Sequence, residues 1–251
     1  MSGPGANIST IFQSIQGEGV YIGQRQIFVR FAGCNLSCAY CDTQTSRSSS
    51  AQDLEKICVC KKKNEVKRLE NPISITEAAE AVNSFISAGN PFHSVSLTGG
   101  EPLLQVDFLT ALLPQIKLPK YLETNGTLPD RLYEIIDLVD IIAMDYKLPS
   151  ATKCGDYAAE HGKFLDIAMN KEVFVKAVFS KDTSVQEIDD MSRLIAGKDD
   201  GICLVLQPAA AGRTFKSAPS PEQCLSYHSV AKRSLKNVLV IPQAHKLIGL
   251  D

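Results

Sequence analysis

The sequence has almost no net charge. Its 26 Lys and Arg stand against 28 Asp and Glu, a formal −2 at pH 7, so the bulk charge carries no nucleic-acid footprint. It has no apolar run long enough to span a membrane. Its first residues, MSGPGANIST, lack the basic start and apolar stretch of a secretory signal. No internal repeat is present. These absences lead to the expectation of a cytoplasmic protein that engages neither membrane nor nucleic acid. In a reducing compartment the eight cysteines serve as thiols or metal ligands rather than disulfides. Cross-links are also unnecessary, because 251 residues at 44% hydrophobic bury enough surface for a core.

Short runs rich in Val, Ile and Leu alternate with helical spacing. Strands are expected at Gln26–Gly33, His93–Gly100, Lys120–Gly126, Asp140–Lys147, Glu172–Ser180, Ile202–Pro208 and Asn237–Gln243. Helices are expected at Ile75–Ala88, Val106–Leu113, Asp130–Leu138, Val185–Ala196 and Pro221–Arg233, with Thr76–Glu77 and Asp130–Glu134 as helix starts. Alternation of buried strands with helices implies a parallel sheet. Six or seven such units fall one or two short of a closed eight-unit barrel. The expected fold is therefore α/β, a partial, open βα barrel of about six parallel strands in one domain over 1–251. The polar, basic stretch at about 46–70 breaks the rhythm and reads as an insertion, partly helical around Ala51–Cys58.

The strongest chemical signal is Cys34-Asn-Leu-Ser-Cys38-Ala-Tyr-Cys41, spaced C-x3-C-x2-C directly after the first expected strand. That position is the C-terminal mouth of a βα fold, where catalytic loops gather. Three thiolates on a tight loop can hold three corners of a cubane cluster, leaving the fourth iron open to a small chelating molecule. Zinc is the competing reading, with Cys58 or Cys60 as a fourth ligand. Cys203 reads as core, and Cys154 and Cys224 as isolated thiols. Across the mouth stands Thr98-Gly99-Gly100-Glu101-Pro102. Its glycine pair either lets a ligand approach the backbone closely or makes a simple turn.

With Tyr40 before the last cysteine and TGGEP at the end of the next strand, the chain resembles the radical S-adenosylmethionine (SAM) superfamily. Ile15-Gln16-Gly17-Glu18-Gly19, Arg30, Cys41-Asp42-Thr43 and the closing Pro242-Gln243-Ala244-His245 resemble more narrowly the 7-carboxy-7-deazaguanine synthase family. That resemblance covers nearly the whole chain apart from 46–70. It implies a homodimeric lyase that uses a [4Fe–4S] cluster, SAM and Mg2+. The implied reaction contracts 6-carboxy-5,6,7,8-tetrahydropterin to 7-carboxy-7-deazaguanine, with loss of ammonia, in queuosine and deazapurine biosynthesis.

By the same resemblance, Cys34, Cys38 and Cys41 hold the cluster and Thr43 the magnesium. SAM is met by Tyr40, Asp42, Gly99, Gly100, Glu101, Asn125, Asp145, Lys147 and the run Gln207, Pro208, Ala209, Ala210. Asp145-Tyr146-Lys147 departs from the family's serine-proline-lysine, and Lys147 keeps the charge. Substrate is met by Ile15, Gln16, Gly17, Glu18, Arg30, Thr98, His245 and the carboxylate of Asp251. A guanidinium at Arg30 suits a carboxylate as a two-pronged partner, and a terminal carboxylate suits an amino-pyrimidine edge. The plain alternatives are a structural ion pair for Arg30, a flexible turn for QGEG, loop or helix caps for Asp42, Thr43 and Asn125, and a frayed end for His245 and Asp251. An acidic electron donor such as a flavodoxin is a guess from the charge of Lys61–Lys63. A glycyl-radical activase, another small-molecule radical SAM enzyme and a zinc-binding interaction module remain open at this point.

Overall fold

The computed structural model describes residues 4–41, 56–62, 65–86, 91–211, 215 and 217–249. In chain order its elements are β1 (Ile8–Ile15), β2 (Arg25–Phe31), β3 (Lys56–Lys62), β4 (Glu65–Glu70), α1 (Ile75–Ile86), β5 (Ser94–Gly99), α2 (Val106–Leu112), β6 (Lys120–Thr124), α3 (Pro129–Ile135), β7 (Ile141–Tyr146), α4 (Pro149–Thr152), α5 (Ala158–Ala168), β8 (Glu172–Phe179), α6 (Val185–Ala196), β9 (Cys203–Pro208), α7 (Pro221–Ala231), β10 (Val238–Val240) and α8 (Ala244–Ile248). The strands form one sheet in the order β10-β9-β8-β7-β6-β5-β2-β1-β3-β4. From β2 to β10 every neighbouring pair is parallel. β1 runs antiparallel to β2, and the β3–β4 hairpin extends the sheet beyond β1. The sheet is open, with β4 and β10 as its two edges. The expected α/β architecture is the one found, with seven parallel strands rather than about six.

Alternation along the strands explains which face meets the helices. Val29, Phe31, Val95, Leu97, Leu122, Ile142, Met144, Val175, Ala177, Leu204 and Leu206 are buried together with Val82, Phe108, Leu109, Leu132, Phe164, Ile188, Met191 and Tyr227 from the helices. Helix ends follow local chemistry. Ser184 and Glu187 close a capping box on α6, and Ser220 and Gln223 do so on α7, where Pro221 takes the first turn. At α1 the cap is Ser74, whose hydroxyl and backbone N–H both donate to Glu77, rather than Thr76.

Several elements differ from the sequence expectation. Lys56–Lys62 is strand, not the end of a helix: β-branched Ile57 and Val59 favour extended backbone, and β1 offers a free edge for pairing. Ala51–Glu55 lies outside the described residues. β1 was not expected, because its buried Ile8 and Ile11 are three apart. A register shift between Ile8 and Thr10 breaks the period of two. α5 was not expected either. Its inward positions 161, 164, 165 and 168 have helical spacing, but the first is His161, so the apolar pattern starts late.

Gly99 is a packing requirement. Its φ is +115°, and a Cβ there would lie 2.6 Å from the Phe31 backbone nitrogen. Gly100 N–H donates to Phe31 O at 2.9 Å and Glu101 N–H to Gly33 O at 2.8 Å, so the chain after β5 lies directly on the end of β2. Gly23 also has a positive φ, +90°, but open space where its Cβ would be. Strain alone should cost Gly23→Ala about 1 kcal/mol, whereas strain plus a backbone clash should cost Gly99→Ala roughly 3 kcal/mol or more. Urea unfolding of both variants checks this. Equal losses would show that the approach of β5 to β2 imposes nothing.

Candidate active site

The sheet face away from the helices carries a graded set of side chains. Toward the strand starts it is apolar: Tyr121, Ile141, Ala143, Phe174 and Val205 cluster with Val20 and Tyr21. Toward the strand ends it is polar. Arg30 stands beside Thr98, Asp145 beside Lys176, and Val178 beside Gln207. The cysteine loop leaves β2 and TGGEP leaves β5 at this polar end.

Cys38 is buried, and Cys34 and Cys41 are half-buried. The loop is fixed from several sides. Cys41 N–H donates to Cys38 O at 3.2 Å and Ala39 N–H to Thr152 O at 2.7 Å. Asn35 accepts from Asn125 Nδ2 at 2.8 Å and donates to Thr127 Oγ1 at 2.8 Å. Burial pushes the Cys38 thiol up to about 12, against the opposing field of Lys147, and burial raises Cys34 too. Cys154 acts on Cys38 electrostatically, so it neighbours the loop and is not isolated. Among the described residues, no three His, Cys, Asp or Glu side chains converge on one metal ion. The side chains of Cys58 and Cys60 lie outside the described set. Cys203 is half-buried and packs against the apolar cluster of Tyr121, Phe174 and Val205.

Glu101 is fully buried. Its carboxylate accepts from Leu103 N–H at 3.0 Å, Thr124 Oγ1 at 2.8 Å and Asn125 N–H at 2.8 Å. Both oxygens are therefore used inside the protein, tying the end of β5 to the end of β6. Asn125 is spent similarly, since its Oδ1 accepts from Thr127 N–H and Oγ1.

An unbroken series of charged and polar groups crosses the mouth. Gln243 Nε2 donates to Glu18 at 2.6 Å, and Glu18 pairs with Lys176. Lys176 lies 3.5 Å from Asp145, and Asp145 lies 2.8 Å from Lys147. Lys147 donates to the Tyr40 hydroxyl at 3.3 Å and sits 5.4 Å from its ring centre. Two buried oxygens at these strand ends, Asp145 Oδ1 and Gln207 Oε1, have no hydrogen-bond partner in the protein. Such acceptors are costly unless a ligand or water satisfies them. Beside them Val178, Ala209 and Phe215 pack with Tyr40 into an apolar patch. Ala209 N–H is already given to Phe179 O, and Ala210 is exposed. Pro208 ends β9.

The other half of the site is built on Gln16–Glu18. Gln16 is buried; it donates to Glu123 at 2.7 Å and Gln26 at 3.0 Å, and accepts from Glu18 N–H. Glu123 also accepts from Thr98 Oγ1 at 2.8 Å and Ser96 Oγ at 3.3 Å. A Cβ on Gly17 would lie 2.6 Å from His245 Cβ, and Ala244 N–H donates to Gly17 O at 2.9 Å. The 244–245 segment is thus seated on the QGEG loop, so His245 is not frayed. Ile15 closes β1 just before it. The Arg30 guanidinium lies 5.5 Å from the Phe12 ring centre and pairs with no carboxylate among the described residues. Asp42, Thr43 and Asp251 lie outside the described residues.

Two site residues escaped the sequence reading, Glu123 and Lys176. The available signal was a charge inside a strand rather than at its end, Glu123 in KYLET and Lys176 in EVFVKAVF. Such a charge is rarely placed there without a partner.

Burial alone would raise the Glu18 carboxyl, but Lys176 and Gln243 bring it down to about 2. A depressed carboxylate adds stability above its unfolded value near 4.5 that is lost as pH falls toward 2. The urea midpoint should therefore fall more steeply between pH 5 and pH 3 in the wild type than in Glu18→Gln. Parallel losses in the two chains would remove this role from Glu18.

A family model for the radical SAM superfamily matches residues 28–150. The 7-carboxy-7-deazaguanine synthase of Geobacter sulfurreducens is 40% identical, with 99% of each chain covered. That of Methanothermobacter thermautotrophicus is 34% identical, with 98% of each covered. Among solved structures, QueE from Escherichia coli superposes with a TM-score of 0.57 at 20% identity, covering 96% of this chain and 95% of that one; at that identity the likeness concerns the fold. On the identity and coverage of its relatives, the chain belongs to the 7-carboxy-7-deazaguanine synthase family.

Proposed function

We propose that the chain is a radical SAM lyase that converts 6-carboxy-5,6,7,8-tetrahydropterin to 7-carboxy-7-deazaguanine with release of ammonia. The observation that carries this reading is the two-sided mouth. The cysteine loop leaves β2 on one side of it, and Gln16–Glu18, braced by Gln243 and His245, borders it on the other. Cys34, Cys38 and Cys41 hold the cluster. The unpartnered oxygens of Asp145 and Gln207 receive donors of SAM, and the Tyr40–Val178–Ala209–Phe215 patch covers its apolar side. When bound, the cluster and SAM supply one electron and a radical that takes a hydrogen atom from the substrate. Gly99, Gly100 and Glu101 shape the wall that SAM lies against.

On the substrate side, Arg30 carries a positive charge with no described carboxylate partner and is placed to receive the substrate carboxylate. Thr98 and Gln16, both fixed by Glu123, present oxygen acceptors to the pterin edge. His245 and the carboxylate of Asp251 take the amino-pyrimidine face. Magnesium is assigned to Thr43, where few protein ligands suffice because the ion keeps its waters. The reading extends to one domain over 1–251, a homodimer in the cytoplasm, and reduction by an acidic donor such as a flavodoxin.

Anaerobic reconstitution should give a brown protein with about four irons per chain. Incubation with reductant, SAM, Mg2+ and the carboxytetrahydropterin should then give the carboxy-deazaguanine. Confirmed SAM cleavage without that product would sink the substrate assignment and spare the superfamily. Cys38→Ala should lose the iron. Arg30→Ala should keep it and raise KM roughly 10- to 100-fold, the worth of a hydrogen bond to a charged group. An unchanged KM would return Arg30 to a structural role.

A further inference from the structure

Lys176 stands where the two halves of the mouth meet. It projects from β8 on the inner face, beside Asp145 of β7 in the register, and its side chain is 15% exposed. Its ammonium reaches two carboxylates that belong to different parts of the site. Glu18 comes from the loop that carries Gln16 and Gly17 and takes Gln243 on its other oxygen. Asp145 leads through Lys147 to Tyr40 in the cluster loop, and its Oδ1 is one of the buried oxygens without a protein partner. Glu123 adds to the negative field around the ammonium. No other side chain among the described residues makes an ion pair to both halves.

We propose that Lys176 is a positioning residue that couples the pterin side of the mouth to the SAM side by holding Glu18 and Asp145 in fixed places at once. The proposal rests on the functional reading above, which assigns those two sides. A ligand that engages Asp145 fixes Lys176, and through it Glu18 and the segment on which His245 is seated. A ligand on the pterin side does the reverse, because energetic coupling between two sites is reciprocal. Without the ammonium, Glu18 and Asp145 share a poorly solvated space with no cation between them. They then repel one another, and each half relaxes separately. Arginine keeps the charge, with different reach and geometry. Combining Glu18→Gln with Lys176→Gln removes both charges and keeps hydrogen-bonding groups of similar size.

The test is SAM affinity of the reconstituted holoenzyme, measured by calorimetry without reductant, with and without the carboxytetrahydropterin. Wild type should bind SAM at least about fivefold more tightly when substrate is present, within the usual range of such couplings. Lys176→Met should reduce that ratio to below about twofold, and Lys176→Arg should restore part of it. Iron content and circular dichroism identify a variant that fails to fold. Should Lys176→Met be one, the double variant Glu18→Gln, Lys176→Gln replaces it, with the same loss of coupling expected. A merely structural lysine would lower stability and leave the ratio intact. The proposal is overturned if wild type shows no coupling, if the variants keep it, or if substrate affinity alone falls, which would make Lys176 a direct substrate contact. Product formation by wild type is scored separately. Its absence overturns the functional reading, whereas its presence with uncoupled binding overturns only this inference.

Discussion

An open sheet leaves one face without helices, and the placement of the site follows from how that face is filled. A closed barrel packs its interior with layers of its own side chains. Here the strand-start half is filled from outside the sheet by the loop between β1 and β2. Tyr21 of that loop lies 4.6 Å from the His93 ring centre, 5.8 Å from Tyr121 and 6.4 Å from Phe174. Gly19, with φ +68°, lets the loop turn directly against the Phe174 ring. The plug is apolar because the residues beneath it are. Only the strand-end half remains for chemistry, which is also where the loops after β2 and β5 emerge. The loop that fills the lower half carries Gln16–Glu18 at its upper rim, so one segment both packs the apolar half and borders the polar one.

Filling the upper half with charge sets a second constraint. Glu18, Glu123 and Asp145 share it with Lys176, Lys147 and Arg30, and the Glu18, Asp145, Lys176 and Lys147 side chains are 11–19% exposed. Buried ion pairs add little net stability, because desolvation offsets their attraction. Their value here is geometric. Lys176 of β8 reaches both Glu18 and Asp145, so the positions of β7, β8 and the QGEG loop are set relative to one another before any ligand arrives. The same arrangement leaves Asp145 Oδ1 and Gln207 Oε1 without partners. Both oxygens lie at the strand ends, where a bound donor would compensate them.

Much of this was legible in the residues. Parallel strands buried on the helix side read as continuous apolar runs, and all seven expected strands form, with ends displaced by a few residues. The cysteine loop and TGGEP were legible because they follow strands. Other features required the third dimension. β1 hides behind a register shift, and α5 opens its apolar stripe with a histidine. Gly99 was open to reading as room for a ligand, yet the backbone approaching it is β2's own. The sequence does not show that the Glu101 oxygens tie β5 to β6. Glu123 and Lys176 carry no motif. Only the register shows that they point inward and what they meet.

QGEG shows why such a motif resists interpretation in one dimension. Two glycines separated by a single residue suggest flexibility, but each is required for a different contact. Gly19 supplies a left-handed turn against Phe174. Gly17 has no such φ; it is needed because His245, far away in sequence, occupies the space beside its Cα. The hydrogen bond from Ala244 N–H to Gly17 O and the one from Gln243 to Glu18 fix that contact on either side of the glycine. A side chain at position 17 would separate the end of the chain from its beginning while leaving the cysteine loop, its hydrogen bonds and the helix-side core intact. The cysteine end of the mouth is therefore built by the sheet and the loops leaving it, whereas the Gln16–Glu18 end is complete only when the 243–245 segment is seated.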